Sequence, residues 1–292
     1  MKILVTGTTG FLGNFITFYN STHEIFSLNR NSGNFICDLE ISIPNINSRF
    51  DLVIHNAGKA HSIPKSEADK LTFFNVNACG TKNLLKGLEN NIPKYFVFIS
   101  SVAVYGKDYG LNFNEKVQPS AKDPYGLSKI QAEELVLNWC KKKKVVCTIL
   151  RLPLLVGKNP PGNLGSMLKA IKKGYYFNID GGKAQKSMVL AEDVARFIPI
   201  IAPIGGIYNL TDGEHPSFKD LSLAISTRKI LNLPLFVAKI IAKIGNLFGS
   251  KAPLNSIKIN KITSDLTFDD SKAREFGWNP QSVLEYLKHE DL

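Results

Sequence analysis

The tightest constraint on this chain lies in its first thirteen residues, MKILVTGTTGFLG. Lys2–Thr6 is a short run of mostly apolar or β-branched residues and reads as a buried strand. It breaks at once into Gly7, Gly10 and Gly13, and an apolar stretch of helical length follows. Strand, glycine turn and helix in that order are the context of a dinucleotide-binding loop. Gly7 lets the backbone turn tightly, Gly10 lets it approach a pyrophosphate, and Gly13 lets the helix pack close to the strand. The helix N-terminus offers free N–H groups to the phosphate charge. Thr9, Phe11 and Leu12 complete the loop and count among its binding candidates. The spacing is G-x-x-G-x-x-G, not G-x-G-x-x-G, so a plain structural turn is the competing reading. Later residues decide between them.

A chain of 292 residues can bury a full core and suits one large or two unequal domains. Its 44% hydrophobic and 21% charged content is that of an ordinary soluble globular protein. Met1 leads straight into the strand, so no secretory leader is expected, and no apolar run is long enough to span a bilayer. Cys37, Cys79, Cys140 and Cys147 have neither metal-ligand nor paired spacing. Reduced thiols in a cytoplasm and no metal site are expected. The net charge of +11 is compatible with nucleic acid, an anionic membrane surface or an anionic small molecule. The densest basic run, Lys141–Lys144, closes a predicted helix, where cations complement the helix dipole. No nucleic-acid motif accompanies it, and no nucleic-acid partner is expected.

Along the first half, strands and helices alternate as in a doubly wound parallel α/β sheet. Strands are predicted at 23–28, 51–55, 95–99 and 145–150, with helices at about 66–90 and 125–143. They are nearly continuous apolar runs, as when helices cover both faces. From Pro153 the pattern changes. GKNPPGNLG at 157–165 reads as a loop. Shorter elements follow: a helix near 192–202, a strand at 206–210 and a helix near 218–231. The division expected is a Rossmann-like domain over 1–152, rejoined by about 185–210. A smaller mixed substrate domain is expected over 153–184 and 211–292, with the ligand cleft between the two. LPLFVAKIIAKIGNLF at 233–248 admits two readings. It is either an interfacial helix touching an anionic membrane or a helix packing its apolar face inward, and two lysines favour the second.

The chemistry concentrates in YGLSK at 125–129, preceded by SSVAVYG at 100–106. Four residues apart on a helix, Tyr125 and Lys129 project from one face. An ammonium beside a phenol is expected to lower the tyrosine pKa toward working pH. Such a tyrosine can exchange a proton with a substrate hydroxyl or carbonyl while hydride moves to or from a nicotinamide. Ser101 ends a predicted strand, where open α/β sheets place their ligands, and its hydroxyl can hold the same oxygen.

The chain resembles the extended short-chain dehydrogenase/reductases, in the branch that modifies nucleotide sugars. The likeness rests on TGTTGFLG at 6–13, Asp38-Leu39, HNAG at 55–58, NVNACGTKNLL at 75–85, SSVAVYG, YGLSK, RLPLLVG at 151–157 and FGWNP at 276–280. It implies Tyr125 as general acid/base, Lys129 on the nicotinamide ribose and Ser101 at the substrate oxygen. It implies Asp38 and Leu39 at the adenine, and Asn56, Ala57, Gly58, Asn77, Ser100, Leu152 and Pro153 around the cofactor. On the substrate side it implies Lys59, His61, Ser101, Val102, Asn163, Leu164 and Lys186. A homodimer is a further expectation from the family.

Departures narrow the choice. Dehydratases of this group carry an Asp-Glu pair where this chain has Val102 and Ala103, which cannot move protons. The cysteine and histidine pattern of C3/C5 epimerase-reductases is absent. At the end of the second strand, Asn29 and Arg30 stand where an NAD enzyme places an acid for the ribose hydroxyls. Arg30 favours NADP over NAD. The reading is NAD(P)-dependent oxidoreduction at C4 of a nucleotide-diphospho sugar, leaning to a 4-keto reductase, with a 4-epimerase as alternative. An apolar-alcohol reductase and a non-catalytic NADP sensor are weaker rivals.

Overall fold

The computed structural model describes residues 1–60, 64, 66–226, 230–246 and 255–289. Seven strands form one sheet: β1 (Lys2–Thr6), β2 (Glu24–Asn29), β3 (Phe35–Ile36), β4 (Leu52–His55), β5 (Tyr95–Ser101), β6 (Val146–Leu152) and β7 (Gly206–Asn209). Their spatial order is β7-β6-β5-β4-β1-β2-β3, and every neighbouring pair is parallel. The pleat sorts their side chains onto two faces. Ile3 and Val5 face one core with Ile54 and Val97, while Leu4 faces the other with Val53 and Phe96.

Helix α1 (Phe11–Tyr19) packs on the first face beside α6 (Ala191–Ile201). The other face carries one helical column: α2 (Glu67–Phe73), a π-helical turn over Phe74–Cys79, and α3 (Gly80–Gly87). Ser66 opens it by accepting the Asp69 N–H, and α4 (Pro124–Lys143) packs alongside. Asp123 caps α4 by accepting the Gly126 N–H, and Lys141, Lys142 and Lys143 close it as the dipole argument anticipates. After β1 the chain builds β2 and β3 to one side, then returns to set β4 on the other. The β1/β4 boundary is therefore the switch point where this architecture opens a ligand crevice.

Beyond β6, Leu154–Val156 pairs in parallel with Met188–Leu190. Helix α5 (Gly162–Lys172) takes in the last four residues of the stretch read as loop, because Leu164 and Leu168 are drawn into a core with Val156, Met188 and Leu190. Helix α7 (Phe218–Ile225) stops well short of Leu231, and residues 227–229 of the predicted helix lie outside the described residues. Leu231–Leu233 pairs instead with Phe177–Ile179. The two-residue β3 escaped periodicity altogether.

The inward-packing reading of the 233–248 stretch holds for only part of its apolar residues, and 247–248 lie outside the described residues. Helix α8 (Leu235–Asn246) buries Ala238, Ala242 and Gly245, and exposes Phe236, Ile240, Ile241 and Ile244. Its small residues allow close approach to α9 (Ser256–Thr263), and that contact, not side-chain size, sets its rotation. No helix among the described residues is long and apolar enough to cross a membrane.

Candidate active site

The glycine loop has the shape its sequence requires. Gly7 sits at φ +70°, and a Cβ there would stand 2.9 Å from the Ala57 Cα. A Cβ on Gly13 would come within 2.1 Å of the Gly7 carbonyl oxygen. Gly10 meets only that oxygen, at 3.3 Å, so its outer side is open, and it caps α1 without any side-chain bond. This leaves the first N–H groups of α1 facing a bare cradle, the fit a pyrophosphate requires. Thr9 is exposed at its rim, Phe11 is half-buried and Leu12 anchors α1 in the core.

A line of hydrogen bonds runs from this loop to α4, and polarity dictates its sense. The Thr6 hydroxyl oxygen accepts from the Asn56 and Ala57 N–H groups at 3.1 and 3.0 Å, so its own proton goes to His55 Nδ1 at 2.8 Å. His55 then carries its proton on Nε2 and donates to Thr81 Oγ1 at 2.9 Å. Thr81 donates to the Asn77 carbonyl at 2.5 Å. Asn77, in the π turn, donates to Ser128 Oγ at 2.9 Å, and Ser128 donates to the Tyr125 carbonyl at 2.8 Å. Asn77 Oδ1 also accepts the Lys59 N–H at 2.7 Å. Burial, followed by the nearby Lys129, pushes His55 down to about 3, which keeps it neutral in this chain of bonds. His55 and Thr81 were not among the sequence candidates. The signal for His55 is a histidine closing an apolar strand, whereas Thr81 sits in a mixed helix that gives none.

Tyr125 lies at the start of α4, half-buried, its ring 6.0 Å from that of Phe73. The expected lowering of its pKa by Lys129 does not appear. Burial raises the phenol, the Ser101 hydroxyl pulls the other way, and Asp123 raises it further. The physical reason is where the ammonium goes. Lys129 Nζ donates to the Ile99 carbonyl at 2.9 Å and lies 4.8 Å from the centre of the Phe98 ring. A Cβ on Gly58 would stand 3.3 Å from it, so the ammonium faces the loop that follows β4. Burial lowers Lys129 to about 8, with Glu133 opposing.

This depression has a measurable consequence. Between pH about 8 and 10.5 the unfolded lysine holds a proton that the folded one has released, so stability from this group rises with pH across that window. In urea titrations, the unchanged protein should gain stability on Lys129→Met from pH 8 to 9.5; a constant difference would contradict the assignment.

The remaining candidates divide. Asn29 accepts from the Thr8 N–H at 2.9 Å and steadies the loop, while Arg30 is exposed at the end of β2. Asp38 Oδ1 accepts the Glu40 N–H at 3.0 Å and closes a turn, and Leu39 packs in the core. Lys59 donates to Thr72 and lies 5.3 Å from the Phe73 ring centre. Pro153 is half-buried after β6, while Leu152 and Leu164 pack within apolar cores. Asn163 is exposed in the first turn of α5, and Val102 packs beside Tyr105. Lys186 is buried, donates to the Ser264 carbonyl at 2.7 Å and is lowered to about 8 by burial. His61 lies outside the described residues. No group of metal-ligating side chains occurs among the described residues.

Ser100, expected at the cofactor, is buried near the end of β5. Its hydroxyl donates to Glu133 Oε1 at 2.5 Å, deep in the protein. Glu133 also accepts from Arg151 Nη2 at 2.7 Å and Nε at 3.1 Å, a buried two-pronged pair. Arg151 lies 4.9 Å from the Tyr105 ring centre, and Tyr105 donates to Asn209 at 2.8 Å. This polar core under the β5 and β6 strand ends escaped the sequence reading, since its members are scattered along the chain.

Known proteins resemble this chain over most of its length. The UDP-glucose 4-epimerase of Vibrio cholerae is 28% identical over 310 aligned positions, covering 97% of this chain and 92% of its own. The Escherichia coli O157:H7 protein named N-acetyl-alpha-D-glucosaminyl-diphospho-ditrans,octacis-undecaprenol 4-epimerase is 30% identical over 227 positions, 70% of this chain and 66% of its own. The solved UDP-glucose 4-epimerase of Thermus thermophilus, in complex with NAD, superposes with a TM-score of 0.73 at 20% identity, over 99% of this chain and 97% of that one. Residues 3–210 match the family described as NAD dependent epimerase/dehydratase, and with the glycine loop after β1, Ser101 at the end of β5 and Lys129 bonded to that strand, the chain belongs to that family of nucleotide-sugar enzymes.

Proposed function

We propose that this chain is a 4-epimerase of a sugar carried on a diphosphate, with a UDP-hexose or UDP-N-acetylhexosamine as the substrate class. The observation that carries the reading is the near full-length similarity to a UDP-glucose 4-epimerase, beside this chain's own Ser101, Tyr125 and Lys129. With its pyrophosphate held at the cradle, a nicotinamide dinucleotide would supply hydride exchange at the sugar carbon. Tyr125 takes the C4 hydroxyl proton and returns it to that oxygen after the sugar has turned over, while Ser101 holds the oxygen. Lys129 presents its charge toward the loop after β4, where the cofactor ribose would lie. Val102 and Ala103 offer no second proton-transfer group, so loss of water from the sugar is not supported.

One observation favours a second reading, a 4-keto-sugar reductase using NADPH. Arg30 is exposed at the end of β2, where it can meet a 2′-phosphate. Calorimetry separates the two. On the reductase reading NADP binds at least ten times more tightly than NAD, and Arg30→Ala removes that preference. On the epimerase reading NAD binds as tightly or tighter, and turnover of UDP-glucose consumes no cofactor.

A further inference from the structure

Helix α8 is amphipathic in the inverted sense. Its buried edge is Ala238, Ala242 and Gly245, and its larger apolar side chains face out, with Phe236 67%, Ile240 56% and Ile244 57% exposed. At 100° per residue, Phe236, Ile240 and Ile244 make one stripe, extended by Ile241. Lys239 and Lys243, both exposed, run along one flank of that stripe. The adjoining two-stranded sheet carries further exposed apolar side chains, Phe177 and Leu231. Phe177 shares a sheet face with Ile179, and Leu231 with Leu233, and Ile179 and Leu233 pack against α8. Phe177 and Leu231 are themselves exposed.

The charge of the surrounding chain is one-signed. From Leu221 to Ser264 there is no Asp or Glu, against seven Lys or Arg: Arg228, Lys229, Lys239, Lys243, Lys251, Lys258 and Lys261. An exposed apolar stripe flanked by lysines whose stems can lie along it is the pattern of a helix resting in a lipid interface. Anionic headgroups meet the lysines while the Phe and Ile side chains enter the acyl boundary. A second copy fits poorly, because a two-fold contact through this stripe would bring Lys239 and Lys243 toward their own counterparts.

We propose that α8, with Phe177 and Leu231 beside it, is a docking face for an anionic phospholipid bilayer, on which the protein lies peripherally. Co-sedimentation of the full chain with phosphatidylcholine vesicles, with and without 30% phosphatidylglycerol, tests this. Binding is expected to be at least tenfold stronger with phosphatidylglycerol and to weaken at 0.5 M NaCl. Phe236→Ser/Ile240→Ser should reduce binding at least tenfold, and Lys239→Glu/Lys243→Glu should abolish the phosphatidylglycerol dependence. All four side chains are exposed, so circular dichroism and soluble-substrate turnover should be unchanged. Absence of vesicle binding, equal binding by the apolar double variant, or a dimer in light scattering that Phe236→Ser/Ile240→Ser dissociates would each overturn the proposal.

Discussion

Tyr125→Phe is expected to lower kcat by roughly 10³-fold, the range over which a positioned acid/base acts, with cofactor affinity changed less than threefold. In the proposed reaction the phenol, which interacts with the Ser101 hydroxyl, carries the proton, and the ring of Tyr125 keeps its packing on Phe73 without the hydroxyl. The pH profile adds a second signature. Burial holds the phenol above its ordinary 10, so in the resting protein it is protonated near neutrality and ready to act as acid. Proton abstraction needs the phenolate, so the rate of oxidation should climb with pH throughout the neutral and alkaline range. Tyr125→Phe should flatten that climb. A variant with unchanged kcat, or one that retains the climb, would remove Tyr125 from the chemistry.

The second large effect is on stability. Glu133→Ala is expected to cost about 3–5 kcal/mol, because it strands the Arg151 guanidinium in a site where both side chains are almost fully buried. It also strips the Ser100 hydroxyl of its acceptor. Removing both charges with Glu133→Leu/Arg151→Met should recover most of that loss, since an apolar pair needs no compensation for lost hydration. Urea unfolding of the three proteins at one pH checks this. Equal losses for the single and double variants would mean that the ion pair itself, and not the orphaned charge, carries the energy.

Where local chemistry determines structure, the sequence was readable. The glycine spacing specified the loop, because only glycine tolerates the approaches of Gly7 to Ala57 and Gly13 to the Gly7 carbonyl. Tyr125 and Lys129 were found by helical spacing, and Ser101 by its place at a strand end. What spacing did not disclose was the destination of the ammonium. It reaches across to the Ile99 carbonyl, a partner thirty residues away, and not to the phenol one turn back. Leu152, Leu164 and Ser100 matched motif positions, yet their side chains face cores or the Glu133 carboxylate, since a motif marks a backbone path as often as a contact. The same lesson holds for α8. Its composition suggested an apolar face turned inward, but close packing against α9 selected the alanines and glycine. Composition counts apolar residues; only tertiary contact decides which of them are covered.

The central claim is that hydrogen is removed from C4 of a diphospho sugar and returned to the same carbon, with Tyr125 moving the proton. UDP-glucose deuterated at C4, incubated with the protein and NAD and followed by NMR, tests it most directly. The account predicts a C4-epimeric product that keeps its deuterium, formed without net reduction of NAD and not formed by Tyr125→Phe. Deuterium lost to solvent, or epimer formed equally well by Tyr125→Phe, would contradict it.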